Sequence, residues 1–236
     1  MKKIWEGLKT VDRDSAIALL YTGINLTTLE FFYLSSYLQR QINIRDGTYR
    51  RTTSFEAGAG WAIATTVAQL VIPILLIKFV HRRKLRDHGW RFDGFFRHMW
   101  VYLACFAFMA PFVYYASTQP EFARRYPFVA EARTDPVVWW QWQAVYLMQF
   151  LALESFFRGY LLFTLERSMK WNACFVMAVP YCMIHFHKPA MECYGALIAG
   201  VVLGMLALRF RSFYGGALLH MMVAVMMDAL GYTGPP

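Results

Sequence analysis

Leu151-Ala-Leu-Glu-Ser-Phe-Phe-Arg-Gly-Tyr160 sets a carboxylate and a guanidinium four residues apart inside an otherwise apolar run. An ionised side chain at bilayer depth costs about 3 kcal/mol or more, so Glu154 and Arg158 in such a run read as a functional site. The i,i+4 spacing stacks them on one helix face, where each neutralises the other. Taken alone, the stretch has a competing reading: an ion pair that only fixes helix packing. Two further apolar segments carry His185 and His220, so three helices supply chemically competent side chains, which packing explains less well.

The rest of the chain sets the class. Its 236 residues are 58% hydrophobic and 18% aromatic, and its apolar runs are too long for the core helices of a soluble enzyme. The expected fold is all-α: a polytopic transmembrane helical bundle in a single membrane domain, 1–236. Seven stretches read as spans, at about 16–38, 57–80, 99–116, 137–166, 171–186, 193–209 and 213–230. The first carries Glu30, a second intramembrane carboxylate, read either as a hydrogen-bonded acid near a helix end or as a cavity residue. The net charge of +9 falls in short Lys and Arg clusters between spans, which fits a lipid bilayer as partner and not nucleic acid. Fifteen of these cations lie on the N-terminal side of the spans and eight on the other, which places the N-terminus in the cytoplasm. Residues 81–98 interleave six cations with aromatic rings and read as a membrane-surface element in which His81, His88 and His98 are solvated. The four cysteines lack Cys-x-x-Cys spacing, so they read as small core residues.

Depth decides whether the polar residues can meet. At ~1.5 Å per residue, Glu154 lies roughly 18 Å and His185 roughly 21 Å above the cytoplasmic ends of their spans. Arg158 and His220 both lie roughly 12 Å up, and Asp228 sits a rotation of ~80° from His220, bordering the same cavity. A glutamate, an arginine and two histidines suit water-mediated acyl hydrolysis, because histidine near neutrality polarises water or donates to a developing oxyanion. No Ser or Cys nucleophile stands out, since Ser155 points about 100° away from Glu154. The expected cofactor is none. The chemical competitor is a divalent metal such as zinc at Glu154, His185 and His220, although the HExxH spacing is absent. A transporter with a gated Glu154–Arg158 pair lacks the repeated halves expected of one.

Glu154-x-x-x-Arg158, Tyr181-x-x-x-His185 and His220 resemble, in order and in placement on consecutive helices, the three motifs of the CAAX-protease and bacteriocin-processing (CPBP, Abi-type) intramembrane endopeptidase family. The resemblance covers a motif-bearing core of about 137–230, with supporting texture in Phe157-Arg-Gly-Tyr160 and in His185-Phe-His-Lys-Pro189. It implies a membrane-embedded hydrolase, a protease in which glutamate and histidine activate water for intramembrane proteolysis while the last motif supports the oxyanion. The implied substrate is a membrane-anchored peptide or protein cut near its anchor, whether a prenylated tail, a leader peptide or a C-terminal sorting segment. The implied location is a bacterial inner membrane. The family's first glutamate falls at Leu153, its phenylalanine at Tyr181 and its final Asn or Asp at Ala224. The expected catalytic set is therefore Glu154, Arg158, His185 and His220, with Asp228 as second acid. The alternative is a non-catalytic membrane binding or immunity protein that retains the protease fold.

Overall fold

The computed structural model describes residues 12–34, 54–123, 125–186 and 188–233. Several cations of the orientation count, Lys2, Lys3, Lys9 and the arginines of the 40–51 loop among them, lie outside the described residues. Within them the chain is a helical bundle without strands. Each apolar stretch becomes a helical run: α1, Arg13–Thr28, continued by a π turn; α2, Phe55–Val80; α3, Phe95–Ser117; α4, Pro136–Glu154; α5, Leu162–Met169, joined to α4 by the π-helical segment Ser155–Leu161; α6, Ala173–Met183; α7, Ala190–Phe210; and α8, Tyr214–Leu230. Among the described residues, three helices, α2, α3 and α7, are long and apolar enough to cross a membrane. The expected count of seven crossings is not confirmed. Eleven-residue α6 rises only about 16 Å against a hydrocarbon core of about 30 Å.

Local signals start the helices where the sequence provides caps. Asp12 caps α1 through Ser15 N at 3.0 Å, and Ser54 caps α2 through Ala57 N at 3.3 Å. Asp135 accepts from Val137 N and Val138 N at 2.8 and 3.2 Å while Pro136, whose missing N–H costs nothing there, opens α4. α6 packs on α7, α3 on α8, and α4 lies between α2 and α8. Glycines let the first pair close up: a Cβ at Gly200 would lie 3.1 Å from Ala178 Cβ, and one at Gly204 3.0 Å from Met177.

The surface element differs from expectation on its inner side. Arg82, Arg83, Lys84, Arg86 and Arg97 are exposed as expected, but His81 and His88 are buried and His98 stacks on Phe210 with ring centroids 4.2 Å apart. His81 is enclosed because α1 and the π segment both reach it: Asp14 Oδ1 lies 2.9 Å from Nδ1 and Tyr160 Oη 3.2 Å from Nε2. The next turn tucks under the bundle because Gly89, at φ +79°, takes a left-handed conformation that other residues resist. Burial away from water holds the His88 pKa down at about 4.

Candidate functional site

The central run of sequence straddles a change of helix type. Glu154 ends the α-helical part of α4, and the next seven residues form a π-helical segment whose wider turn carries Arg158. Such segments occur often at functional sites, and here others follow α1 and interrupt α2, so this one is singled out by the residues it carries. Two contacts hold this one in place. Gly159 brings the backbone against the surface element, where an added Cβ would lie 3.2 Å from the His88 carbonyl oxygen. Ser155 donates to the carbonyls of Ala152 and Gln69 at 3.0 and 3.2 Å, tying the segment to α2.

Glu154 and Arg158 are both fully buried. Arg158 Nη1 donates to Glu154 Oε1 at 2.7 Å, and the same oxygen accepts from His220 Nδ1 at 2.9 Å. The guanidinium carbon lies 3.8 Å from the centroid of the Tyr181 ring, a cation–π contact. Phe150, one turn before Glu154, packs on His220 with centroids 4.3 Å apart. His185 joins through Tyr181, whose ring centroid is 5.1 Å from that of His185 and 6.4 Å from that of His220. Its Nδ1 donates to the Tyr181 carbonyl at 2.9 Å. With Nδ1 committed as donor in both histidines, each neutral ring offers Nε2 as an acceptor and each protonated ring offers it as a donor.

Three buried polar atoms of the pair have no protein partner: Glu154 Oε2 and Arg158 Nε and Nη2. An acceptor and two donors in a site walled by Phe150, Tyr181 and the α8 backbone match the needs of a water molecule and a peptide carbonyl. Oε2 faces Gly216, where a Cβ would stand 3.0 Å away. Gly216 lies four residues before His220, on the same face of α8, so its lack of a side chain leaves Oε2 uncrowded on that side.

The structure thus brings Glu154, Arg158 and His220 into direct contact and sets His185 beside them across one tyrosine. His185 itself lies in the turn after α6, beyond the helix end at Met183, and not within a span as its spacing implied. Asp228 is not part of this contact set. It is fully buried, and its Oδ2 accepts from Trp142 Nε1 and Gln143 Nε2, both at 2.8 Å, near the start of α4. Ala224 packs beside Trp142, Tyr146 and Phe150, while Leu153 joins the apolar cluster of Phe156, Phe157 and Tyr181. Among the described residues no group of three His, Cys, Asp or Glu side chains stands ready to hold a metal ion. The sequence reading missed Phe150 and Gly216. The Gly215-Gly216 pair one turn before His220 was the available signal for the latter.

Residues 135–226 match the family model described as Rce1-like, type II CAAX prenyl endopeptidase. The matched stretch runs from the cap of α4 into α8 and includes every residue of the contact set. The resemblance carried by the three motifs is borne out by that match. No curated protein and no solved structure matches the chain.

Proposed function

We propose that this chain, whose residues 135–226 match the Rce1-like, type II CAAX prenyl endopeptidase model, is an intramembrane endopeptidase that cuts a peptide bond near a membrane anchor with water activated by Glu154 and the two histidines. The observation that carries the reading is the buried Arg158–Glu154–His220 chain, which leaves Oε2 and two guanidinium nitrogens unpaired. In the proposed reaction Glu154 Oε2 takes a proton from water while neutral His185 accepts a hydrogen bond at Nε2 from the remaining water O–H, which keeps its proton. The water oxygen adds to the scissile carbonyl carbon, and the oxyanion receives hydrogen bonds from the unpaired Arg158 Nε–H and Nη2–H, while neutral His220 keeps the Glu154 carboxyl group in position through Nδ1–H. Collapse of the adduct breaks the C–N bond, and the proton held by Glu154 passes to the leaving amine, restoring the carboxylate. The scheme uses no cofactor. The anchor is a prenylated tail, a leader peptide or a C-terminal sorting segment, the membrane is a bacterial inner membrane, and the N-terminus is cytoplasmic.

The test is hydrolysis of a quenched fluorescent prenylated peptide by the purified protein in detergent, with Glu154→Gln as control. Glutamine keeps the shape and the Oε1 acceptor, so the variant should fold and show no turnover. A Glu154→Gln protein as active as wild type would remove the base assignment. A second reading, a non-catalytic membrane binding or immunity protein, draws on one observation: two polar positions of the family pattern are the packing residues Leu153 and Ala224. Absence of turnover from every class of anchored peptide, in wild type as in the control, supports it.

A further inference from the structure

Four free thiols are present, and two of them flank the turn that carries His185. Cys182 lies in the last turn of α6 and Cys193 in the first turn of α7. The Cys182 thiol is 3.4 Å from the carbonyl oxygen of Cys193 itself. The Cys193 thiol donates to the His185 carbonyl at 2.9 Å and stands 3.7 Å from that of Lys188. Both residues are half-buried, which leaves them open to a small reagent, whereas Cys174 is buried in the core. Their helices are already close. Gly204 sits against Cys174 and Gly200 against Ala178, an antiparallel register that continues toward position 196 opposite Cys182. Cys193 is therefore within one helical turn of facing Cys182. Two half-buried thiols on closely packed helices, one of them against the other's main chain, are the arrangement from which a disulfide closes with small side-chain rotations.

We infer that Cys182 and Cys193 are a redox-modifiable pair that closes a disulfide around the His185 turn when a low-molecular-mass disulfide is available. One thiolate of the pair attacks a sulfur of oxidised glutathione, forming a mixed disulfide and releasing one glutathione thiolate. The second thiolate attacks the protein sulfur of that mixed disulfide and releases the other. Two cysteine thiols are oxidised by two electrons, and one glutathione disulfide is reduced to two thiols. The bond takes Cys193 away from the His185 carbonyl and ties the turn at both ends, so the imidazole of His185 moves relative to Glu154 and His220. The effect on turnover rests on the proposed endopeptidase function, but the existence of the pair does not.

The experiment treats the intact protein in detergent with oxidised glutathione, caps remaining thiols with iodoacetamide and maps the peptides by mass spectrometry. A peptide pair joined through Cys182 and Cys193, lighter by two hydrogens, absent from Cys182→Ser and Cys193→Ser and reversed by dithiothreitol, is expected. Both residues recovered as capped thiols, or only as separate glutathione adducts, overturns the inference. With a cleavable peptide in hand, oxidation should lower wild-type turnover about tenfold, in line with the sensitivity of catalysis to sub-ångström misplacement. The Cys182→Ser variant should not respond. A cross-linked protein with unchanged turnover overturns the coupling to His185, and a cross-link in a protein that cleaves nothing leaves the pair standing while removing the endopeptidase reading.

Discussion

Replacing Gly216 by alanine sets a single methyl group against the atom on which the proposed chemistry depends. The added Cβ lies 3.0 Å from Glu154 Oε2 and 3.9 Å from its Cδ, with no other neighbour within 4 Å outside its own helix. Carbon contacts are optimal at about 3.5 to 4.0 Å, so the carboxylate has to yield by roughly half an ångström. It yields reluctantly, because Oε1 is pinned by Arg158 and His220. On stability, the α8 helix gains about 0.5 to 1 kcal/mol from the glycine-to-alanine change. Crowding takes back about 1 to 3 kcal/mol, for a net loss of at most about 2.5 kcal/mol. Turnover should suffer far more. A 1 Å misplacement costs about 10²-fold, and the methyl both displaces Oε2 and covers the approach of a water to it, so a fall of about 10- to 10²-fold is expected. Peptide hydrolysis and thermal unfolding, measured in one detergent, separate the two effects. Wild-type turnover in a folded Gly216→Ala protein would refute the assignment of Oε2 as the atom that takes the proton.

Arg158→Ala should destabilise the fold by about 3 to 5 kcal/mol, because it leaves Glu154 buried beside His220 alone and strips the cation from the Tyr181 ring; thermal unfolding against Glu154→Gln checks this, the latter also losing stability, since Arg158 loses its counter-charge, but by less, since the amide keeps an accepting oxygen for the guanidinium. The buried His88 makes the protein acid-sensitive: its folded pKa of about 4 lies below the unfolded 6.5, so the unfolded state binds the proton first, and stability present above pH 6.5 falls as pH drops toward 4, by up to about 3 kcal/mol. His88→Gln should flatten that part of the pH profile of Tm. Asp228→Ala leaves the Trp142 and Gln143 donors without their acceptor and should lower Tm and turnover together, at about 1 to 3 kcal/mol per orphaned group, whereas Asp228→Asn keeps an accepting oxygen and should retain both. Loss of turnover in a stable Asp228→Asn protein would instead mark it as the second acid. Leu153→Glu should reduce stability without raising turnover, because the new carboxylate enters the apolar cluster around Phe156 and Phe157; a gain in turnover would contradict the placement.

What the sequence disclosed follows from the reach of its signals. Helices were legible because apolar run length and caps such as Asp12, Ser54 and Asp135 are local properties, and the helical runs start within a few residues of the expected spans. The end of α6 was not, since nothing local separates Met183 from His185 in an apolar run that also contains Pro180. His81 and His88 looked solvated because their neighbours are arginines and lysines. Their burial depends on Asp14, Tyr160 and Phe213 arriving from three other parts of the chain. The Asp228 contact was hidden for the same reason: rotation about α8 shows which side the carboxylate leaves from, and not that Trp142 and Gln143 wait there.

The Glu154 site itself was legible to the extent that helix geometry constrains it. Neighbouring residues on a helix differ by about 100°, so positions 153 and 154 cannot both face the histidines, and a chain with leucine at the first and glutamate at the second has to turn the second inward. The structure does so, with Leu153 among aromatic rings and Glu154 bonded to His220. Helix geometry alone does not supply the π-helical segment, which begins at the residue after Glu154 and carries Arg158 where it bonds the carboxylate with its guanidinium carbon 3.8 Å over the Tyr181 ring. A widened turn loses regular i to i−4 hydrogen bonding and persists where packing compensates, here through Gly159 against His88 and Ser155 against Gln69. The small residues around the charged pair are therefore as much a part of the site as the pair: Gly159 seats the segment, Gly216 leaves Oε2 uncrowded, and the carboxylate and guanidinium offset one another in a place where either charge alone would be costly.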